Sequence, residues 1–181
     1  MNALLNLPHR VRALWFQILC PLWFRELGSD CLIFGRQHFR RPLMAISIGR
    51  RAMIGRDIFW QVARGAKVVI GDDGSINSNC VIVASTGIRI GDNVAIAEFV
   101  SIRDQEHRFR PSTGVRGQGF DSAPIIIEDN CWIGRGVYIG PGSVIRRGSI
   151  VAANSVVKGE FPPNSLIAGA PARVKKELAD E

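Results

Sequence analysis

The chain has 181 residues, enough for one domain with a real core. Hydrophobic residues make up 46%, which excludes a disordered chain. The net charge is +7, the three histidines lie in unrelated segments, and the four cysteines form no C-x-x-C pair, so neither a zinc site nor a redox dithiol has support.

The positive charge sits at the N-terminal end. Residues 1–67 carry eleven Lys/Arg against Glu26, Asp30 and Asp57, a net +8, while residues 68–181 carry twelve against thirteen Asp/Glu, a net −1. Such a bias suits anionic lipid, nucleic acid or a phosphorylated substrate. The Arg-rich stretch 36–64 lacks a nucleic-acid recognition motif, so no nucleic-acid partner is expected.

Within this end, Ala13–Phe24 reads "ALWFQILCPLWF", interrupted by Gln17 and Pro21 and flanked by Arg10, Arg12 and Arg25. Its twelve residues fall short of the ~20 that cross a bilayer. No small-x-small cleavage site follows it, so a secretory signal is weak. Two readings stay open: a short helix capping the core, or an interfacial anchor whose Trp15, Phe16, Trp23 and Phe24 enter lipid headgroups. Residues 1–45 are taken as this apolar, basic segment.

From residue 46 an apolar residue returns every six. The pattern starts faintly as IGRRAM (48) and IGRDIF (54) and continues as IGDDGS (70), INSNCV (76), IVASTG (82), IGDNVA (90) and IAEFVS (96). After a break it resumes in strict register as IEDNCW (127), IGRGVY, IGPGSV, IRRGSI and VAANSV. Neither a helix nor a plain strand has this period. It predicts a coil of very short strands with a turn after each. Ile and Val would stack inside, and small residues at position five would fit the corner. The predicted solenoid spans 46–162.

The break separates Ile102 from Ile127 and places an inserted loop at 105–123, "QEHRFRPSTGVRGQGFDSA". A long loop leaving a rigid scaffold usually carries function. His107 lies at its root, with Asp104 just before it. An imidazole can take a proton from an acceptor hydroxyl near neutral pH, and Asp104, or Glu106 as second choice, would orient the ring. A turn cap is the competing role for Asp104. His9 and His38, in the basic segment, are read as non-catalytic. Cys131 could pair with His107 as a nucleophile, but it occupies the position that Val137, Ser143, Ser149 and Ser155 hold in later hexads, so a buried corner residue is the better reading.

The hexads resemble those of the hexapeptide-repeat acyltransferases, over about residues 46–176. "SIRDQEHRF" (101–109) and "NSLIAGAPARVKK" (164–176) are similar to stretches of the sugar and polysaccharide O-acetyltransferases within that family. The resemblance implies an all-β, left-handed parallel β-helix with a short N-terminal helical segment, a protruding loop and a coenzyme-binding tail at 163–181. It implies acetyl-coenzyme A as co-substrate, no metal, and a homotrimer with the coenzyme between subunits. It assigns Trp132, Gly134, Arg135, Ala153, Lys158, Ala168, Arg173 and Lys176 to the coenzyme. Lys158 is displaced by one from the family's usual lysine position, Gly159 here. Arg108, Arg110, Arg116 and Phe120 would face the acceptor.

The expected activity is transfer of an acetyl group to a sugar hydroxyl, in surface polysaccharide synthesis. The expected place is the cytoplasm, in contact with the inner face of the membrane. N-acetylation of an amino sugar nucleotide and, in a different class, a non-catalytic scaffold or nucleic-acid binder are the alternatives. A γ-class carbonic anhydrase shares the β-helix but needs three histidine ligands, and His9 and His38 fall outside usable hexads.

Overall fold

A computed structural model describes residues 7–18, 23–41 and 45–179. The hexads wind into a parallel β-solenoid with three sheets among these residues. The first sheet stacks seven strands: Glu26–Leu27, Ile46–Ile48, Val68–Ile70, Ile88–Ile90, Ile125–Ile127, Val144–Ile145 and Glu160–Phe161. The second stacks Leu32–Ile33, Met53–Ile54, Ser75–Ile76, Ala95–Ile96, Trp132–Ile133, Ile150–Val151 and Ser165–Gly169. Ala172–Glu177 then folds back antiparallel on its edge. The third stacks Gln37–Phe39, Ile58–Val62, Val81–Ala84, Ser101–Arg103, Tyr138–Ile139 and Val156–Val157.

The period of six follows from this cross-section. Each short strand gives one to three residues to the interior and turns a corner, and the next coil repeats it in register. Ile48, Ile70, Ile90, Ile127 and Ile145 form one internal column, and Ile54, Ile76, Ile96, Ile133 and Val151 form another. All are at most 3% exposed. Backbone amides bond to the carbonyls of the next coil, so the corners leave few polar groups unpaired. The small corner residues are buried as expected. The Ser143 hydroxyl donates to the Gly140 carbonyl at 2.7 Å, and that of Ser155 to Ala152 at 2.7 Å.

The recurring Ile-Gly-Asp has a physical cause. The Asp72 amide donates to Asp92 Oδ1 at 2.8 Å, and the Asp92 amide to Asp129 Oδ1 at 2.9 Å. A Cβ on Gly71 or Gly91 would sit 2.1 Å from the accepting oxygen. Glycine is therefore required where one coil's aspartate caps the coil below.

The coil begins at Glu26, well before residue 46, because Glu26–Leu27, Leu32–Ile33 and Gln37–Phe39 already pair with the second coil. The tail expected from 163 is likewise part of the second sheet. A helix, α1 (Leu7–Ile18), packs against the first coil through Ala13 and His9, whose ring lies 4.2 Å from that of Phe34. Phe24 does not reach a headgroup region: it is 1% exposed and meets Trp60 edge-on in the core. Trp23 stacks on Phe39 at 5.0 Å. The side chain of Phe16 lies outside the described residues, as does Cys20.

Each coil that carries extra residues carries them at the corner between the third and first sheets. The longest such excursion rises there as an antiparallel ribbon, Gln105–His107 paired with Phe120–Ser122.

Candidate functional site

Asp104 stands where the ribbon leaves the coil and is fully buried. Its carboxylate accepts the Ser85 amide at 2.6 Å, the Thr86 amide at 2.7 Å, the Gly87 amide at 2.8 Å and the Thr86 hydroxyl at 2.8 Å. Its carbonyl accepts the Ala123 amide at 3.0 Å, which closes the other end of the insert. Four donors occupy the carboxylate, so Asp104 does not orient His107. It is the turn cap, and the expectation of an Asp104–His107 pair is corrected.

Strand alternation decides the rest, because successive side chains point to opposite faces. Glu106 turns back to the third sheet, where Lys158 Nζ donates to it at 2.7 Å and the Tyr138 hydroxyl at 3.3 Å. His107 points the other way. It is exposed, and its ring lies 4.3 Å from that of Phe120, its partner across the ribbon. Neither Asp104 nor Glu106 reaches the imidazole, whose nitrogens bond to no group among the described residues. Arg108 is held by Asp121 at 2.6 Å. Arg110 and Arg116 are exposed and have no acidic partner among the described residues. Of the four expected acceptor-loop residues, Phe120 is thus beside His107, Arg108 is tied down, and two guanidiniums are available.

The residues expected at the coenzyme lie on a different corner, between the second and third sheets. Phe34, Gly55, Asn77, Ala97, Gly134, Ala152 and Ala168 follow one another up this corner, each after an interior strand residue. The upper part is built of Ala and Gly. Trp132 stands beside it, 55% exposed. Arg135 and Ala153 occupy the next column, and their amides form no hydrogen bond among the described residues. Arg173 and Lys176 pair with Ala168 and Leu166 on the edge strand and are exposed.

Two of these residues make bonds of their own within the chain. The Gly134 amide is spent on the Val151 carbonyl at 2.8 Å, so it cannot polarise a bound acyl group; a Cβ there would also strike the Ala153 nitrogen at 2.7 Å. Lys158 is paired with Glu106 on the third sheet and does not join Arg173 and Lys176. The other six residues share one strip with Gly134. That strip offers two free amides, an exposed indole and unpaired cations at one end.

Phe99 is the residue that sequence reasoning missed here. It takes φ +61° in a corner column otherwise filled by Asp57, Asn79, Gly136 and Asn154. A bulky side chain in the left-handed region is strained, and such strain gathers at functional sites. Its exposed ring lies 5.2 Å beneath the Arg135 guanidinium, which Glu98 holds at 3.0 Å. The signal was the hexad IAEFVS, with Phe where its neighbours have turn formers.

Cys131 is buried, and burial pushes its thiol up to about 11. Its Sγ donates to the Arg146 carbonyl at 3.3 Å. A thiol so placed is a poor nucleophile near neutral pH. His38 pairs with Asp57 at 3.0 Å, far from the ribbon in the coil order.

The pattern for bacterial transferase hexapeptide (six repeats) matches residues 124–159. A galactoside O-acetyltransferase of Escherichia coli is 34% identical over 76% of this chain and 66% of its own length. A probable acetyltransferase of Mycobacterium tuberculosis is 34% identical over 77% of this chain and 46% of its own. The chain thus spans between about half and two thirds of these relatives. In fold it is similar to AntD, an N-acyltransferase from Bacillus cereus solved with dTDP-4-amino-4,6-dideoxyglucose and coenzyme A, at TM-score 0.75 and 22% identity, covering 90% of this chain and 88% of that one. Repeat, solenoid and relatives agree that the chain belongs to the hexapeptide-repeat acyltransferase family.

Proposed function

We propose that this chain transfers an acetyl group from acetyl-coenzyme A to a sugar hydroxyl, with His107 as general base. The observation that carries the reading is the position of His107: an exposed imidazole, braced by Phe120, on a ribbon whose root is locked by Asp104. Coenzyme A would supply the acyl group as an activated thioester. Trp132, Arg135, Ala153 and Ala168 would line its path, and Arg173 and Lys176 would meet its phosphates. His107 would take the proton from the acceptor hydroxyl as oxygen attacks, then return it to the departing sulfur. Phe120 would offer the acceptor ring an apolar face, and Arg110 and Arg116 would hold an anionic part of it.

Within one chain the ribbon and the coenzyme strip lie on opposite sides of the third sheet. Assembly as a homotrimer, with the ribbon of one subunit against the strip of the next, would join them. An acceptor that is a precursor of a surface polysaccharide, handled at the inner face of the cytoplasmic membrane, completes the reading. The test is incubation with acetyl-coenzyme A and a panel of sugars, nucleotide sugars and lipid-linked glycans, following free thiol release. Turnover on hydroxyl acceptors supports the reading; turnover on amino sugars alone would replace it with N-acetylation.

A further inference from the structure

We propose that the outer stripe of α1, formed by Val11, Leu14, Trp15 and Ile18, docks the protein onto an anionic lipid surface. The four residues are spaced i, i+3, i+4 and i+7, which places them on one helix face. They are 46%, 55%, 61% and 65% exposed. The helix spends its small face on the solenoid, through Ala13 at 4% exposure and the His9 ring against Phe34. A helix on a water-facing surface normally buries such a stripe and leaves its polar face outward. Here the apolar stripe is the face left over.

The charge around it identifies the occupant. Residues 7–41 carry six arginines against Glu26 and Asp30, a net +4. Arg10, Arg25, Arg36 and Arg40 are exposed, and none pairs with an acid among the described residues. In the next coil two of the arginines are compensated: Arg50 is held by Asp72 at 2.6 Å and Arg51 by Asp73 at 2.6 Å. A cluster of uncompensated cations therefore flanks the apolar stripe. An anionic bilayer offers both a phosphate layer for the arginines and an apolar boundary for Trp15. A second copy meeting on the same face would bring its own arginines against these, which disfavours a self-complementary contact.

The test uses the full chain in sedimentation with phosphatidylcholine vesicles, with and without phosphatidylglycerol. Binding is expected to the anionic vesicles and not to the neutral ones, and to fall with added salt. Trp15→Glu and Leu14→Glu should each weaken it roughly tenfold or more. Arg36→Glu should weaken it by at least about fivefold. These positions are exposed, so unchanged thermal unfolding confirms the fold of each variant. Absence of binding to anionic vesicles overturns the proposal, as does equal binding by Trp15→Glu. A dimer that Leu14→Glu dissociates, without vesicle binding, would assign the stripe to a second copy and also overturn it. Vesicle binding is read without turnover, so failure of the acetyl-transfer reading leaves this result standing.

Discussion

Lys158 Nζ donates to the Glu106 carboxylate at 2.7 Å, and Tyr138 donates to the same carboxylate at 3.3 Å. This clamp holds the ribbon against the third sheet and leaves His107 on the outward face. Tyr138 is the chain's single tyrosine. Burial raises its phenol first, and the Glu106 charge and hydrogen bond raise it further. Glu106→Gln should therefore lower the midpoint of the tyrosinate absorbance titration, without restoring the ordinary value because burial remains. A midpoint that stays put would mean the clamp does not form in solution. The pair is largely exposed, so its effect on turnover should be modest, roughly threefold to tenfold.

Asp104 should behave as a structural cap. Asp104→Ala would leave three buried-turn amides and a hydroxyl without their acceptor. A loss of roughly 2–4 kcal/mol in unfolding free energy is expected. Asp104→Asn should also destabilise, since an amide cannot accept as many donors. In whatever protein remains folded, the pH profile of turnover should keep its shape. A displaced profile with unchanged stability would return Asp104 to the role of orienting His107.

Cys131→Ser should be tolerated, because serine fills the same corner at Ser143, Ser149 and Ser155 with its hydroxyl bonded to a carbonyl. The expected cost is about 1 kcal/mol, with turnover kept. Alkylation of Cys131 in the native protein should be slow at pH 8, since its thiol is raised to about 11. Abolished turnover in a folded Cys131→Ser protein would revive an acyl-enzyme route.

Gly91→Ala tests why the repeats read Ile-Gly-Asp. A Cβ would stand 2.1 Å from Asp129 Oδ1, so the cap between two coils must open. A loss of roughly 1–3 kcal/mol is expected in thermal or urea unfolding. A neutral substitution would show that the aspartate ladder adds nothing to stability.

The solenoid was legible because its period is a direct image of its cross-section: five strict hexads leave no other regular structure. The first coil was not legible. Leu27, Ile33 and Phe39 also stand six apart, but the segments between them lack the Ile-Gly pairs and hold Arg36, Gln37 and His38 instead. Gln37 is buried there because it accepts from Trp60 Nε1 at 3.1 Å and donates to the Gly55 carbonyl at 2.7 Å, partners that only the fold supplies. The place of His107 at the loop root was legible. The direction of its side chain was not, since the ribbon's pairing sets it and sends Glu106 and His107 to opposite faces. The partner of Lys158 was not legible either, since the ribbon's pairing is what brings Glu106 within 2.7 Å of it.

The central claim is that His107 removes the acceptor proton. The most direct measurement is the steady-state rate of His107→Ala, with acetyl-coenzyme A binding measured on the same preparation. Turnover should fall by roughly 10²–10⁴-fold while coenzyme affinity barely changes, because the coenzyme strip lies on another corner. A folded His107→Ala protein that acetylates its acceptor at close to the wild-type rate would contradict the account.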